Sequence, residues 1–262
     1  MGQHEICLGG KEIGNDNPIY YVAEAGATHT GLGSAKNLVD MAVNAGFNAV
    51  KFQIVESKKC PTPDELFNGH KCIDIWKQRE LTQDEWKELH AYCKGKALPA
   101  FATITDVNQL DWFPSESYKI RSRDIGKLLL IKAVSERCKV IQLDTGYATI
   151  QQIKTAIGRT DSKVEIIIHH CPSGYPANIE NERLSLIKKY KDEFNCLVGY
   201  SAHSNNFTIM AMAIAMGANM IEIPIVEVES KSIAPEAEYA ISEENDYLKE
   251  YIKDLKEMEQ CL

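Results

Sequence analysis

The sequence lacks the features that mark several classes of protein. No apolar run approaches the roughly 20 residues that a membrane-spanning helix needs. The N-terminus has no basic stretch followed by an apolar one, so we predict no signal peptide and expect a cytoplasmic location. No linker rich in proline, glycine or serine divides the chain. We therefore predict a single domain over residues 1–262.

Basic charge is also scarce. The formal net charge is −8, and lysine and arginine form no basic block, which argues against nucleic acid or a membrane surface as a partner. The eight cysteines are scattered and include no Cys-x-x-Cys pair, so we expect reduced, mostly packed thiols. These absences leave small molecules, including anionic ones, as the expected partners.

What the sequence does contain is a regular alternation of strand and helix patterns. Eight apolar runs, most of them rich in β-branched or aromatic residues, predict buried strands, and amphipathic stretches lie between them. The predicted strands are 19–24, 48–53, 98–103, 118–120, 139–145, 164–170, 196–201 and 218–223. This order predicts an α/β fold, a (β/α)₈ TIM barrel, with a doubly wound open sheet as the alternative. Segment 54–81 is long for a connection and should cross the barrel mouth.

Polar residues stand at the ends of all eight predicted strands. In a barrel these ends meet at one face, which carries the active site. A single lysine or histidine at such a place is often an ordinary rim or structural residue, but the full set predicts a functional pocket. In chain order the set is Glu24, Lys51, Gln53, Thr103, Lys119, Ser122, Thr145, His170, Ser201, His203 and Glu222.

Seven segments of the chain resemble the sialic acid synthase (NeuB-like) family of phosphoenolpyruvate-dependent sugar acid synthases. They are AEAGATHTG (23–31), AGFNAVKFQ (45–53), FATITD (101–106), YKIRSRDIG (118–126), DTGYATIQQI (144–153), HCPSGYPA (170–177) and VGYSAHS (198–204). They follow one another in the order of the family pattern, over about residues 17 to 245. The order and number of the matches make this resemblance specific.

The resemblance implies a transferase of carbohydrate biosynthesis. Family members condense phosphoenolpyruvate with an aldehyde acceptor of the aldose type, and the products are a 2-keto-3-deoxy sugar acid and phosphate. A divalent metal, usually manganese, assists the reaction, and imidazole is a suitable ligand for it. The resemblance also implies a homo-oligomer.

The resemblance further implies individual roles for residues of this chain. His170 and His203 are the expected metal ligands, and His169 is expected to point to the opposite side of its strand. The implied catalytic residues are Glu24, His29 and Asp124. The implied substrate-binding residues are Lys51, Gln53, Thr103, Lys119, Arg121, Ser122, Arg123, Thr145, Ser173, Tyr175 and Ser201.

The chain departs from the family pattern in the part that should hold the acceptor. Arg121 and Arg123 stand at two glycine positions, Asp124 at a glutamate position, and Ala202 at an aspartate position. A Lys-His pair of the pattern is missing at 222–225, and we expect no antifreeze-like C-terminal domain within the chain. The acceptor is therefore expected to differ and to be smaller or phosphorylated. The alternatives are an aldolase or lyase on the same barrel and a non-catalytic barrel subunit.

Overall fold

Eight parallel strands close into a barrel in the computed structural model, which describes residues 5–26, 28–67, 69–230 and 235–261. Two short antiparallel hairpins, β1–β2 and β5–β6, lie outside it. The strands are β1 (Ile6–Leu8), β2 (Lys11–Ile13), β3 (Tyr20–Gly26), β4 (Ala49–Gln53), β5 (Leu66–Phe67), β6 (His70–Lys71), β7 (Ala100–Thr103), β8 (Ser117–Ile120), β9 (Val140–Asp144), β10 (Glu165–His170), β11 (Leu197–Ser201) and β12 (Met220–Pro224). Because β12 pairs with β3, the sheet has no open edge. The predicted TIM barrel is confirmed, and the open-sheet alternative is wrong.

Helices surround the barrel and cover the outward side chains of the strands. They are α1 (Leu32–Ala45), α2 (Cys72–Arg79), α3 (Gln83–Gly95), α4 (Leu128–Ser135), α5 (Ile150–Ile157), α6 (Ser185–Phe194), α7 (Phe207–Ala215) and α8 (Tyr247–Glu259). A 3₁₀ helix, Val107–Asp111, follows β7. Within the described ranges, no helix is long and apolar enough to span a bilayer.

The interior of the barrel is built in layers, because alternate residues of each strand point inward. An apolar layer closes the N-terminal end together with the β1–β2 hairpin. It contains Ile6, Leu8, Ile13, Tyr20, Val22, Ala49, Phe101, Val140, Ile167, Leu197 and Met220. Two residues further along each strand, the inward positions become polar or small at Glu24, Lys51, Thr103, Gln142, His169, Gly199 and Glu222. The same alternation that builds the core thus delivers charged groups to the barrel mouth.

The long connection 54–81 contributes to the barrel mouth, as the sequence predicts. It contains the β5–β6 hairpin and α2, and Trp76 of α2 lines the cavity at the mouth. Arg79, at the end of α2, is buried, and its Nη1 lies 3.5 Å from Glu236 Oε2 in the segment after β12. This ion pair links two connections that are far apart in the chain.

Candidate active site

A cavity of about 810 Å³ lies at the C-terminal ends of the barrel strands. Eleven of the sixteen residues predicted for the site line it. They are Glu24, Lys51, Gln53, Thr103, Arg121, Ser122, Arg123, Ser173, Tyr175, Ser201 and His203. The other five, which do not line the cavity, are His29, Lys119, Asp124, Thr145 and His170. The strand-end pattern therefore identifies most of the cavity but not all of its chemistry.

Two buried lysines and three carboxylates form a connected network at the floor of the cavity. Lys51 Nζ pairs with Glu24 and lies 3.1 Å from Glu222 Oε2. Lys119 Nζ pairs with the same Glu222 oxygen and lies 2.9 Å from Asp144 Oδ1. With every group ionised, the three carboxylates exceed the two ammonium groups by one negative charge. The lysines are therefore held and neutralised before any ligand binds.

Ser201 connects this network to β11. Its Oγ accepts a hydrogen bond from Lys119 Nζ at 2.5 Å and donates one to Glu222 Oε2 at 2.6 Å. Lys119 is fully buried, and both of these partners line the cavity. The predicted lysine thus contacts residues of the cavity lining without lining the cavity itself.

The protonation behaviour of the network follows from burial and from the neighbouring charges. Burial opposes the charged form of Lys51, but Glu222, Glu24 and Asp144 outweigh it and raise the pKa of Lys51. Burial also favours neutral Glu222, yet Lys119 and Lys51 together hold the pKa of that carboxyl well below its usual range. For Glu24 burial prevails over the attraction of Lys51 and raises the pKa to about 7. Glu24 is thus the carboxyl poised to exchange a proton near neutral pH.

Asp144 is a site residue that the sequence reasoning missed, and Glu222 was noted at a strand end without a role. The prediction chose Thr145, whose Oγ1 instead donates to the His169 carbonyl at 3.0 Å, away from the cavity. Counting inward positions along β9 from Val140 gives Gln142 and then Asp144. That count, rather than nearness to the strand end, would have identified Asp144.

The two histidines of β10 are oriented opposite to the expectation. His169 points into the barrel, where its Nε2 lies 2.9 Å from Gln142 Oε1. His170 points outward to the helices, where its Nε2 contacts the carbonyl oxygen of Glu182 and its ring centroid lies 6.3 Å from that of Tyr190 in α6. The physical reason is the period of two: His169 shares the inward face with Ile167, and His170 cannot.

The residues present do not fit the predicted two-histidine metal site. His203 lines the cavity, with its Nε2 3.6 Å from Cys171 Sγ, and its Nδ1 has no hydrogen-bond partner within the described residues. His170 faces away from it. Over residues 5–26, 28–67, 69–230 and 235–261, no three His, Cys, Asp or Glu side chains are grouped so that they could hold a metal. Dependence on a divalent metal stays a prediction.

His29 lies outside the cavity, packed among aromatic side chains. It is fully buried, and its ring meets Phe52 and Trp86 edge-on at centroid distances of 6.2 and 6.0 Å. Burial lowers the pKa of His29 to about 3, so its ring is neutral. This environment is that of a packing residue, and a catalytic role for His29 has no contact in the cavity to support it.

Asp124 is also directed away from the cavity. Its buried carboxylate accepts a hydrogen bond from Arg121 Nε at 2.5 Å and lies 2.8 Å from Lys127 Nζ. Arg121 itself lines the cavity. In this geometry Asp124 orients an arginine that faces the cavity.

Aromatic side chains form one wall of the cavity. The ring centroids of Tyr175 and His203 are 4.2 Å apart, and that of Tyr239 lies 6.2 Å from Tyr175 and 5.9 Å from His203. Tyr147 lines the opening and is largely exposed. Tyr239 and Trp76 were not predicted, because they lie on connections whose sequence has no strand-end position to mark them.

Comparison with known proteins gives a consistent result. The family model described as "NeuB family" matches residues 38–262. N,N'-diacetyllegionaminic acid synthase of Campylobacter jejuni is 30% identical over 77% of this chain and 65% of its own length. Spore coat polysaccharide biosynthesis protein SpsE of Bacillus subtilis is 30% identical over 96% and 70%, respectively. This chain therefore spans about two thirds of the length of these two relatives.

A solved structure is similar over nearly the whole chain. It is the N-acetylneuraminic acid (sialic acid) synthetase of Leptospira borgpetersenii, in complex with citrate. The TM-score is 0.88 at 29% sequence identity, and the match covers 99% of this chain and 90% of that one. The similarity includes every strand of the barrel and hence the ends that build the cavity.

Proposed function

Because this chain belongs to the NeuB family, we propose that it is a carbon–carbon bond-forming transferase that condenses phosphoenolpyruvate with an aldehyde acceptor of the aldose type. The products are a 2-keto-3-deoxy sugar acid and phosphate. Three relatives are named as synthases of N,N'-diacetyllegionaminic acid, pseudaminic acid and N-acetylneuraminic acid. Since the chain spans only part of the length of several relatives, the activity is proposed and rests on the site itself.

The pair of buried lysines carries this proposal. Lys51 lines the floor of the cavity, with Thr103, Gln53 and Ser201 as neutral polar groups around it. Lys119 does not line the cavity, but its ammonium group is buried against lining residues, among them Asp144 and Glu222. Charge-assisted hydrogen bonds from ammonium groups are the usual means of holding carboxylate and phosphate oxygens. A ligand with two anionic groups close together would engage both lysines.

The carboxylates around the lysines set a condition on binding. An entering anion must take over contacts that Lys51 makes with Glu24 and that Lys119 makes with Asp144. Protonation of Glu24 removes one opposing negative charge, and its pKa of about 7 makes this change available near neutrality. We therefore expect phosphoenolpyruvate to bind together with a proton on Glu24.

The proposed reaction needs one proton taken up and one released. Carbon 3 of phosphoenolpyruvate forms a bond to the aldehyde carbon, and the aldehyde oxygen gains a proton. Water adds at carbon 2 and loses a proton. The bond from carbon 2 to the phosphate oxygen then breaks, phosphate leaves with the electron pair, and the hydroxyl left on carbon 2 passes its proton to the phosphate and becomes the keto group. Glu24 lines the cavity and is half-buried, with a pKa near the working pH, as a group that transfers these protons requires.

Calorimetry of phosphoenolpyruvate binding tests the proposal without knowledge of the acceptor. The variants are Lys119→Met, which removes the buried charge, and Thr103→Val, which keeps the volume and removes one hydroxyl. Lys139→Met is the control, because Lys139 is exposed and pairs with Glu116 at the other end of the barrel. We expect binding by the wild type and the control, weaker binding by Thr103→Val and none by Lys119→Met.

Thermal melting of each variant separates lost binding from lost folding, and repeating the titrations with Mn²⁺ and with a chelator tests the predicted metal. Phosphate release is then measured with a panel of aldoses. If the folded wild type does not bind phosphoenolpyruvate under either condition, the proposed function is wrong.

A further inference from the structure

The wall of the cavity above the network carries two arginines. Arg121 and Arg123 both line the cavity, on the 3₁₀ turn that follows β8. Arg123 is exposed and makes no hydrogen bond or ion pair within the described residues. Its charge nevertheless acts on the Tyr175 hydroxyl, on the aromatic wall. An arginine at the edge of a cavity, free of an acidic partner, is available to a ligand.

Arg121 is fixed in place by groups that contribute nothing to the cavity themselves. Asp124 accepts a hydrogen bond from Arg121 Nε at 2.5 Å, and the two terminal nitrogens of the guanidinium make no hydrogen bond or ion pair with the described residues. Lys127 pairs with the other oxygen of Asp124 at 2.8 Å and offsets its negative charge. The terminal edge of a guanidinium is the part that binds a phosphate or carboxylate through two parallel hydrogen bonds.

The charge distribution separates two parts of one cavity. The floor holds three carboxylates around two lysines, and its positive charge is fully matched. The wall holds two arginines with a single carboxylate, that of Asp124, directed at one of them. Glu236, the remaining acidic residue of the upper wall, pairs with Arg79. The upper part of the cavity therefore carries the unmatched positive charge.

The size of the cavity allows both parts to be filled at once. Its volume of about 810 Å³ lies in the upper part of the range for small-molecule sites, roughly 300–1,000 Å³. Phosphoenolpyruvate is a three-carbon compound and would occupy only the floor. The space next to the arginines remains for the second substrate.

We propose that the acceptor carries an anionic group, a phosphate or a carboxylate, at the end remote from its aldehyde, and that Arg123 and Arg121 bind this group. Asp124 is then a positioning residue that orients Arg121 and does not touch the reacting atoms. This inference rests on the proposed condensation, because it assigns the second substrate of the same cavity.

Matched acceptors test the proposal. Mannose, mannose 6-phosphate and mannuronate differ only at the terminal carbon, and N-acetylmannosamine and its 6-phosphate form a second set. Each is measured for phosphoenolpyruvate-dependent consumption of the aldehyde, and for binding by calorimetry to the protein loaded with phosphoenolpyruvate. The phosphate and carboxylate members distinguish the two possible anions.

The variants are Arg123→Ala, Arg123→Lys and Asp124→Asn, and Arg137→Ala is the control, since Arg137 is exposed and pairs with Asp111 at the opposite end of the barrel. We expect Arg123→Ala to weaken the binding of the anionic acceptors by about 10- to 100-fold, which is the effect of losing a charge-assisted hydrogen bond. Arg123→Lys should restore part of this loss. Neutral acceptors and phosphoenolpyruvate should bind as before.

Asp124→Asn separates positioning from catalysis. A positioning role predicts a higher KM for the anionic acceptor with kcat within about threefold, because only the orientation of Arg121 is relaxed. A fall in kcat by orders of magnitude at unchanged KM would mean that Asp124 acts on the reacting atoms, and it would overturn its assignment here.

The outcomes distinguish this inference from the function on which it rests. If phosphoenolpyruvate binds but neutral and anionic acceptors bind equally, the inference is wrong and the condensation stands. If phosphoenolpyruvate binds and neither kind of acceptor does, the inference is again wrong, and only the binding of phosphoenolpyruvate is upheld. If phosphoenolpyruvate does not bind, the condensation fails, and the same sugar pairs on the unloaded protein decide whether the arginines select an anion.

Discussion

Acidification from pH 7 to pH 4.5 should destabilise this barrel through histidines that are buried without charge. His29 and His169 are both fully buried, and burial lowers the pKa of each from 6.5 to about 3. In the unfolded chain both rings take up a proton as the pH falls below about 6.5. In the folded state the two rings take up a proton only when the pH approaches 3. Protons therefore favour the unfolded chain throughout this interval.

The size of the effect follows from linkage. Each such histidine costs about 1.4 kcal/mol of folding free energy per pH unit between its two pKa values, so the pair costs about 5 kcal/mol between pH 7 and 4.5. Glu24 acts in the opposite direction, because its pKa is raised from 4.5 to about 7 in the folded state. As the pH falls, Glu24 binds its proton at a higher pH in the folded protein than in the unfolded chain. This offsets about half of the folding free energy lost through the two histidines over the same interval. Glu222, with its lowered pKa, begins to count only below its unfolded value of 4.5.

Urea denaturation followed by circular dichroism at half-unit steps of pH measures these terms. Between pH 7 and 4.5, Glu24→Gln, which lacks the offset, should lose about 2–3 kcal/mol more folding free energy than the wild type. His169→Gln should lose less folding free energy than the wild type over this range. His70→Gln, at an exposed position, should lose as much as the wild type. A Glu24→Gln protein whose stability stays constant to within 1 kcal/mol over this range would refute the reasoning.

Three further substitutions have definite expected outcomes. Gly199→Ala places a Cβ 2.5 Å from the buried ring of His169 and should lower the free energy of unfolding by about 1–3 kcal/mol in urea denaturation. Gly95→Ala is the control, because its Cβ would meet nothing within 4 Å. Equal stability of the two variants would contradict tight packing around His169. Thr82→Ala removes a capping box and should cost about 1 kcal/mol by the same assay. Asp144→Asn should tighten the binding of inorganic phosphate roughly tenfold, because a carboxylate that competes for the buried lysine is lost, and weaker binding in calorimetry would show that the carboxylate is needed to hold that lysine.

The fold was predictable because its determinants are local and repeated. All eight barrel strands lie within the predicted runs to within a few residues, since strands buried on both faces are nearly continuous in apolar residues. Local spacing also builds two capping boxes, between Thr82 and Glu85 and between Thr149 and Gln152. The connection after β7 differs, because the described chain forms a 3₁₀ helix, Val107–Asp111, before β8 in place of an α-helix.

The candidate site was predictable only in part, because a strand end does not say which way a side chain points. His169 and His170 are identical in type and adjacent, and a shift of one residue exchanges their faces. What decides between them is Ile167, two residues earlier, which belongs to the inward layer. The same count identifies Asp144 and excludes Thr145. The missing constraint is thus which residues of each strand point inward, and these can be counted in steps of two from the apolar layer at the N-terminal end of the barrel.

The charge balance of the floor has a consequence for how the site selects its ligand. A count of strand-end lysines suggests a strongly cationic pocket, but Lys51 and Lys119 are each bound by carboxylates that are themselves buried. Binding of an anion is then an exchange of partners, and its free energy is the difference between two sets of ion pairs. Such a floor binds strongly only those ligands whose anionic groups match the spacing of both ammonium groups. Selectivity at the floor therefore comes from the carboxylates, whereas the arginines of the wall can attract any anionic group that reaches them.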